Sequence, residues 1–300
     1  MPTSSNSGKR LTHLKNFGTD PGLLHADIYI PKNFPKNGPL VVVLHGSTQS
    51  AESYDHGSGW STLADECGIA LLYPEQRKTN NLLGSFNWFK SGDTERGGGE
   101  PLSIRHMIQQ VVDDHDIDPS RVFITGLSSG GAMTSVMLAT YPEVFAGGAI
   151  IAGLPYGSAD NMMEAVVRMK GYGGPSDSKL DSLVRDASTF DGPWPTISVW
   201  HGGSDSTVDN SNADSIVRQW QKIHQVEGPP TRDEEVDGFP RKVWCNAEGR
   251  EVIEEYIIKG MGHGTPIMAG GGEGLGEEDK FMLEVGISST RRIAHFWGLT

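Results

Sequence analysis

The chain has 300 residues, 36% of them hydrophobic and 21% charged, and a formal net charge of −13. That length is enough to bury a large core in a single α/β domain, and the acidic balance, with no basic run to track phosphates, argues against nucleic acid as a partner. No stretch approaches the roughly 20 apolar residues of a membrane span, so no membrane association is expected. The first ten residues lack the apolar segment of a signal peptide, and as written the chain reads as cytoplasmic. A mature secreted form with an added starting methionine would read the same.

In chain order, residues 11–17 and 24–30 read as two strands forming an antiparallel edge. The continuous apolar run at 40–44 suits a strand buried on both faces; a helix near 59–66 and a strand at 69–73 follow. Residues 74–101 form a polar loop rich in glycine and aromatics, long enough to be functional. A helix at 102–115 leads to a strand at 121–125 and a second helix at 132–141. Residues 155–195, Met-rich and full of breakers, predict a small lid-like excursion. A strand at 196–200 and a helix at 212–224 come next, and then a hairpin that pairs 241–246 with 251–258 around 247–249. A glycine-rich loop at 270–274 and a helix at 288–296 close the chain. No strand leads into that glycine run and no lysine follows it at the required spacing, so it does not read as a phosphate loop. Strands alternating with helices predict a mostly parallel central sheet with helices on both faces, in a single domain with no separate substrate-binding module. Cys67 and Cys245 lie far apart in sequence and read as two free thiols.

The pentapeptide Gly126-Leu127-Ser128-Ser129-Gly130 stands between the strand at 121–125 and the helix at 132–141. In such a strand-turn-helix elbow the glycines allow a turn tight enough to lift a serine hydroxyl above the sheet, which makes Ser128 a candidate nucleophile. The pattern alone is weak in a chain with 39 glycines, but two later segments supply context. The strand at 196–200 runs into His201-Gly202-Gly203-Ser204-Asp205, and the strand at 252–258 ends before Gly260-Met261-Gly262-His263-Gly264. The order Ser128, Asp205, His263 is that of a hydrolase triad: a hydroxyl that needs a base, an imidazole to accept its proton, and a carboxylate to fix the imidazole. Asp209 is the rival acid, farther from the strand end. The strand at 40–44 leads into His45-Gly46-Ser47, which reads as the oxyanion loop. The expected donors are the backbone N–H groups of Ser47 and Ser129. His45 and His201 read as buried histidines satisfied structurally. Of the aromatic residues near the inferred site (Tyr54, Trp60, Trp88 and Trp200), Tyr54 and Trp88 are the expected substrate contacts, since both fall in loops near strand ends. Asp55 and His56 are further candidates for the cleft.

Six segments together resemble the polyhydroxybutyrate depolymerase family of esterases, itself similar to the feruloyl and acetylxylan esterases of carbohydrate esterase family one. They are His45-Gly46-Ser47-Thr48-Gln49-Ser50, Gly57-Ser58-Gly59-Trp60, Tyr73-Pro74-Glu75-Gln76, Phe86-Asn87-Trp88-Phe89, Gly126 to Met133, and Gly286-Ile287-Ser288-Ser289-Thr290-Arg291. The resemblance runs from about Leu11 to the C-terminus. It implies an α/β-hydrolase fold and an acyl-enzyme mechanism that uses the triad and donors above, with no metal or cofactor. The implied substrates are short hydroxyalkanoate oligomers or related polyesters, with feruloyl or acetylxylan ester hydrolysis as the alternative. An inactive binding protein on the same fold is the reading from a different class, and the complete Ser128, Asp205 and His263 set speaks against it. Many members of that family carry cysteine where this chain has Ser47, Ser85 and Ser158. If the first two form a bridge in those relatives, this chain must hold the oxyanion loop by other means.

Overall fold

The computed structural model describes residues 10–300. Strands β1 (Thr12–His13) and β2 (His25–Tyr29) pair antiparallel at one edge, as the sequence predicts. Strand β3 (Gly38–Leu44) is buried along its whole length. Its alternation sends Leu40, Val42 and Leu44 into one core and Val41 and Val43 into a second core on the opposite face. This two-sided burial is why the run is continuously apolar rather than alternating.

Two helices follow where one was expected, α1 (Ala51–Ser58) and α2 (Trp60–Cys67), broken at Gly59 with φ 74°. Ser50 starts α1 through a reciprocal capping box with Ser53. A side chain at Gly59 would place its Cβ 2.5 Å from the Gly276 nitrogen, so both φ and space require glycine there. Strand β4 (Ala70–Glu75), helix α3 (Gly99–Asp114), strand β5 (Ile117–Leu127), helix α4 (Ser129–Thr140) and strand β6 (Gly147–Ile151) come next. All of α4 is buried, which explains its lack of a polar stripe.

The segment expected to be lid-like holds α5 (Met162–Met169) and α6 (Asp177–Asp186). Leu180 and Val184 of α6 are buried, whereas Met162, Met163, Val166 and Val167 of α5 are exposed. The rest comprises β7 (Thr196–Gly202), α7 (Ser211–His224), β8 (Arg232–Val236), β9 (Phe239–Cys245), β10 (Glu251–Ile258), β11 (Thr265–Ile267), β12 (Met282–Glu284) and α8 (Ser289–Phe296).

The ten-stranded sheet has the order β1-β2-β4-β3-β5-β6-β7-β10-β9-β8. Its centre, β4-β3-β5-β6-β7-β10, is parallel, and antiparallel ribbons flank both edges. The parallel centre aims the ends of β3, β5, β7 and β10 the same way, so the loops after them meet over one edge of the sheet.

Candidate active site

Ser128 sits between β5 and α4 with φ 56° and ψ −114°, a conformation costly for a residue with a side chain. Its N–H donates to the Ile151 carbonyl at 2.8 Å, and its own carbonyl accepts from Ala132 at 2.8 Å, so both sides of the turn are pinned. Close packing makes the elbow possible. A Cβ on Gly126 would lie 2.4 Å from the Gly130 oxygen, and one on Gly130 would lie 2.4 Å from the Leu44 oxygen. The start of α4 therefore rests directly on the end of β3. Thr48 and Ala152, in neighbouring loops, also take positive φ (69° and 46°), so backbone strain clusters around this turn.

The imidazole of His263 bridges the other two candidates. Its Nε2 lies 2.9 Å from Ser128 Oγ, and its Nδ1 lies 2.6 Å from Asp205 Oδ2. A carboxylate only accepts, so Nδ1 carries the proton and the Nε2 lone pair faces the serine hydroxyl. Asp205 Oδ1 accepts from the backbone N–H groups of Thr207 at 2.8 Å and Val208 at 2.9 Å. His201 Nε2 stands 3.4 Å from Oδ2 and 2.9 Å from the Val208 carbonyl. Burial works to raise the Asp205 carboxyl, but the hydrogen bonds from His201 and His263 outweigh it and hold the group well below the usual carboxylate range. The negative charge that would stabilise an imidazolium is thus maintained. Asp209 is occupied elsewhere, accepting from the Ser211 N–H at 3.0 Å at the start of α7.

Ser47 and Ser129 are neighbours, with Oγ atoms 3.2 Å apart. Ser129 is the first residue of α4, where no intrahelical carbonyl awaits its N–H. The Ser47 hydroxyl also lies 2.5 Å from that of Ser85, so a hydrogen bond joins the two positions that the family resemblance marks for cysteine. Beneath them runs a buried polar network. His45 accepts from the Gln76 N–H at Nε2 (3.1 Å), so its Nδ1–H donates to the Gly46 carbonyl (2.8 Å). Burial pushes this imidazole below its ordinary value and keeps it neutral. The fully buried Glu100 accepts from the Gln76 amide, the Asn87 N–H (2.9 Å) and the Asn87 side-chain amide (2.8 Å). Burial and nearby Asp93 push the Glu100 carboxyl up to about 8 against those three donors.

The expected aromatic contacts are corrected. Tyr54 is fully buried and bonds Thr265 Oγ1 through its hydroxyl at 3.1 Å. Trp88 is 7% exposed and packs edge-on against Phe89 within the core. Trp60 stacks on Trp297 and Trp200 on Tyr256, both as core. Tyr54 lies in α1 rather than in a loop, and the Asn87-Trp88-Phe89 loop is anchored inward by Glu100. Asp55 is taken up by Ser61 and the Tyr73 hydroxyl, and His56 pairs with Glu277. The contact of His201 with Asp205 and the Glu100 hub were not foreseen. The spacing His201 to Asp205 at the end of a buried strand was the signal available for the first. Cys67 and Cys245 are free thiols, as expected. Among the described residues no group of three or more His, Cys, Asp or Glu is placed to hold a metal ion, and no helix is long and apolar enough to cross a membrane.

The family profile Esterase PHB depolymerase matches residues 24–228. The chain belongs to the PHB depolymerase esterase family. It is 44% identical to the poly(3-hydroxyalkanoate) depolymerase C of Paucimonas lemoignei, over 100% of this chain and 72% of that protein. An acetylxylan esterase of Coprinopsis cinerea is 30% identical, over 86% of this chain and 70% of that one. Among solved structures, an acetyl xylan esterase from Aspergillus awamori shares the fold with a TM-score of 0.80 at 23% identity, over 97% of this chain and 99% of that chain. This member of the PHB depolymerase family is a carboxylic ester hydrolase of α/β-hydrolase fold.

Proposed function

We propose that the protein cleaves short hydroxyalkanoate oligomers or related polyesters, with Ser128 as nucleophile, His263 as general base and then general acid, and Asp205 as the carboxylate that orients and stabilises His263. The observation that carries the mechanism is the unbroken run of hydrogen bonds from Ser128 Oγ through His263 to Asp205, at 2.9 and 2.6 Å. The Ser128 hydroxyl gives its proton to His263 Nε2 as its oxygen attacks the ester carbonyl. Backbone N–H groups of Ser47 and Ser129 receive the developing oxyanion, the His263 proton passes to the leaving alkoxide, and an acyl-enzyme remains. Water, activated by the same imidazole, then releases the acid.

The hydroxyalkanoate choice rests on the 44% identity to a poly(3-hydroxyalkanoate) depolymerase along the full chain. The 30% identity to an acetylxylan esterase supports the second reading, hydrolysis of plant cell-wall esters. A ten-stranded sheet with a core on each face runs through the described residues, and we read them as one catalytic unit in which 155–195 is an excursion over the edge that bears the site. A panel of p-nitrophenyl butyrate, hydroxybutyrate oligomers, methyl ferulate and acetylated xylan tests the choice. The hydroxybutyrate oligomers should show the highest kcat/KM among the natural-type esters, and a clear preference for ferulate or acetylxylan would replace the first reading with the second.

A further inference from the structure

Beside the oxyanion loop lies a cavity of about 720 Å³ whose walls include Thr48, Gln49, Glu75, Arg77, Lys78 and Leu83. Thr48 and Gln49 directly follow the donor residue Ser47, and the Thr48 N–H donates to the Leu83 carbonyl at 2.7 Å, so the oxyanion loop is itself one wall. Among the described residues Gln49 Nε2 and Arg77 Nε have no hydrogen-bond partner, but both atoms are enclosed by protein, which leaves the outer guanidinium of Arg77 and the Lys78 ammonium to meet a ligand. The Gln49 amide is not free to turn and cure this, because its Oε1 accepts the Gly46 N–H at 2.9 Å. Among the described residues the Arg77 side chain is held only by long contacts of Nη2, 3.5 Å to the Leu24 carbonyl and 3.4 Å to His25 Nδ1.

Charge in the cavity runs against that of the molecule. On a chain of net charge −13, Arg77 and Lys78 stand adjacent, and among the described residues neither has an acidic partner. The one carboxylate in the wall, Glu75, accepts the Ala51 N–H at 2.7 Å. A guanidinium with donors to spare beside an ammonium, neither paired to a carboxylate, favours an anion, and a planar carboxylate matches the guanidinium fork.

We infer that this cavity is a subsite for the free carboxylate end of an oligomeric hydroxy-acid ester, with the Arg77 guanidinium as its donor and Lys78 adding attraction at longer range. The inference rests on the oligomer reading above. In a linear hydroxy-acid ester the free carboxylate at the scissile linkage nearest the acid end belongs to the leaving hydroxy acid. The subsite therefore favours cleavage that releases a terminal unit.

The test compares kcat/KM for the 3-hydroxybutyrate dimer with that for the same dimer carrying a C-terminal amide, following release of 3-hydroxybutyrate. Wild-type protein should prefer the acid by about tenfold, mainly through KM, and salt should erode the preference. Arg77→Gln and Lys78→Gln should each pull the ratio towards one. The ratio is taken within one sample, so partial misfolding of a variant does not mimic the effect. Equal turnover of acid and amide by wild type, or a preference left intact in both variants, overturns the subsite alone. Turnover of p-nitrophenyl butyrate with neither dimer cleaved overturns the oligomer reading, and the subsite with it.

Discussion

Replacing Ser47 and Ser85 together by cysteine turns the hydrogen bond that ties the long loop to the proposed oxyanion loop into a covalent one. The hydroxyl oxygens are 2.5 Å apart, which holds the two Cβ atoms within about 5.3 Å, a small adjustment from the usual disulfide spacing of about 3.8 Å. The new bond closes a loop of about 38 residues, for which chain entropy predicts about 4 kcal/mol of stabilisation. Loss of the serine pair subtracts about 1 kcal/mol, leaving about 3. For 300 residues the unfolding entropy near the midpoint is on the order of 0.6 kcal/mol/K, so Tm should rise by about 5 °C. Thiol titration of unfolded protein should fall from four groups to two on oxidation, because Cys67 and Cys245 stay free. Adding reductant should carry Tm below that of wild type by a degree or two. Ester turnover should survive within a fewfold, since the proposed donor at position 47 is a backbone N–H. Four titratable thiols after oxidation, or a bridged protein that melts with wild type, would refute the claim that Ser47 and Ser85 stand in bridging register.

The remaining predictions concern the triad and the buried carboxyl below it. Ser128→Ala should remove covalent labelling by a fluorophosphonate probe while leaving the melting curve in place, and residual labelling would assign the nucleophile elsewhere. Asp205→Asn should lower kcat by on the order of 10³–10⁴-fold with little change in KM, whereas Asp209→Asn should matter far less; the reverse order would reassign the acid. Glu100 binds a proton more tightly when folded, at about 8 against 4.5, so wild-type stability should fall as pH rises through that interval. Glu100→Gln should flatten that part of the curve, and urea melts at pH 5, 7 and 8.5 check it: parallel curves would show that Glu100 does not titrate there.

Where local sequence carries the physics, it was readable. The strand at 40–44 is buried on both faces and announces itself by an unbroken apolar run, the one at 121–125 by its apolar centre Val122-Phe123-Ile124, and strand ends carrying Ser128, Asp205 and His263 gave the site its order. What escaped depends on distant partners. β8 is the charged run Arg-Asp-Glu-Glu-Val, an edge strand whose polarity guards against further pairing but hides it from a hydrophobic reading. α1 contains Gly57 and Ser58, poor helix formers, and exists because Ser50 caps it and its buried face meets the core. β11 and β12 have three residues each and find each other across residues 268–281. Tyr54 and Trp88 were misplaced for the same reason: Tyr54 lies on the buried face of α1 with its hydroxyl against distant Thr265, and the loop of Trp88 is anchored inward by Glu100.

The separation in sequence of Ser47, Ser128, Asp205 and His263 has a kinetic meaning. Each arrives from a different strand end of one sheet, through parallel pairings of strands distant in sequence: β3 with β5 across α1 to α3, and β7 with β10 across α7, β8 and β9. Such non-local parallel pairings form slowly, because loop-closure entropy is spent before the contacts repay it. The proposed nucleophile, base, acid and oxyanion donors meet only when every one of these pairings has closed, so ester turnover on refolding should return later than the collapse of the chain.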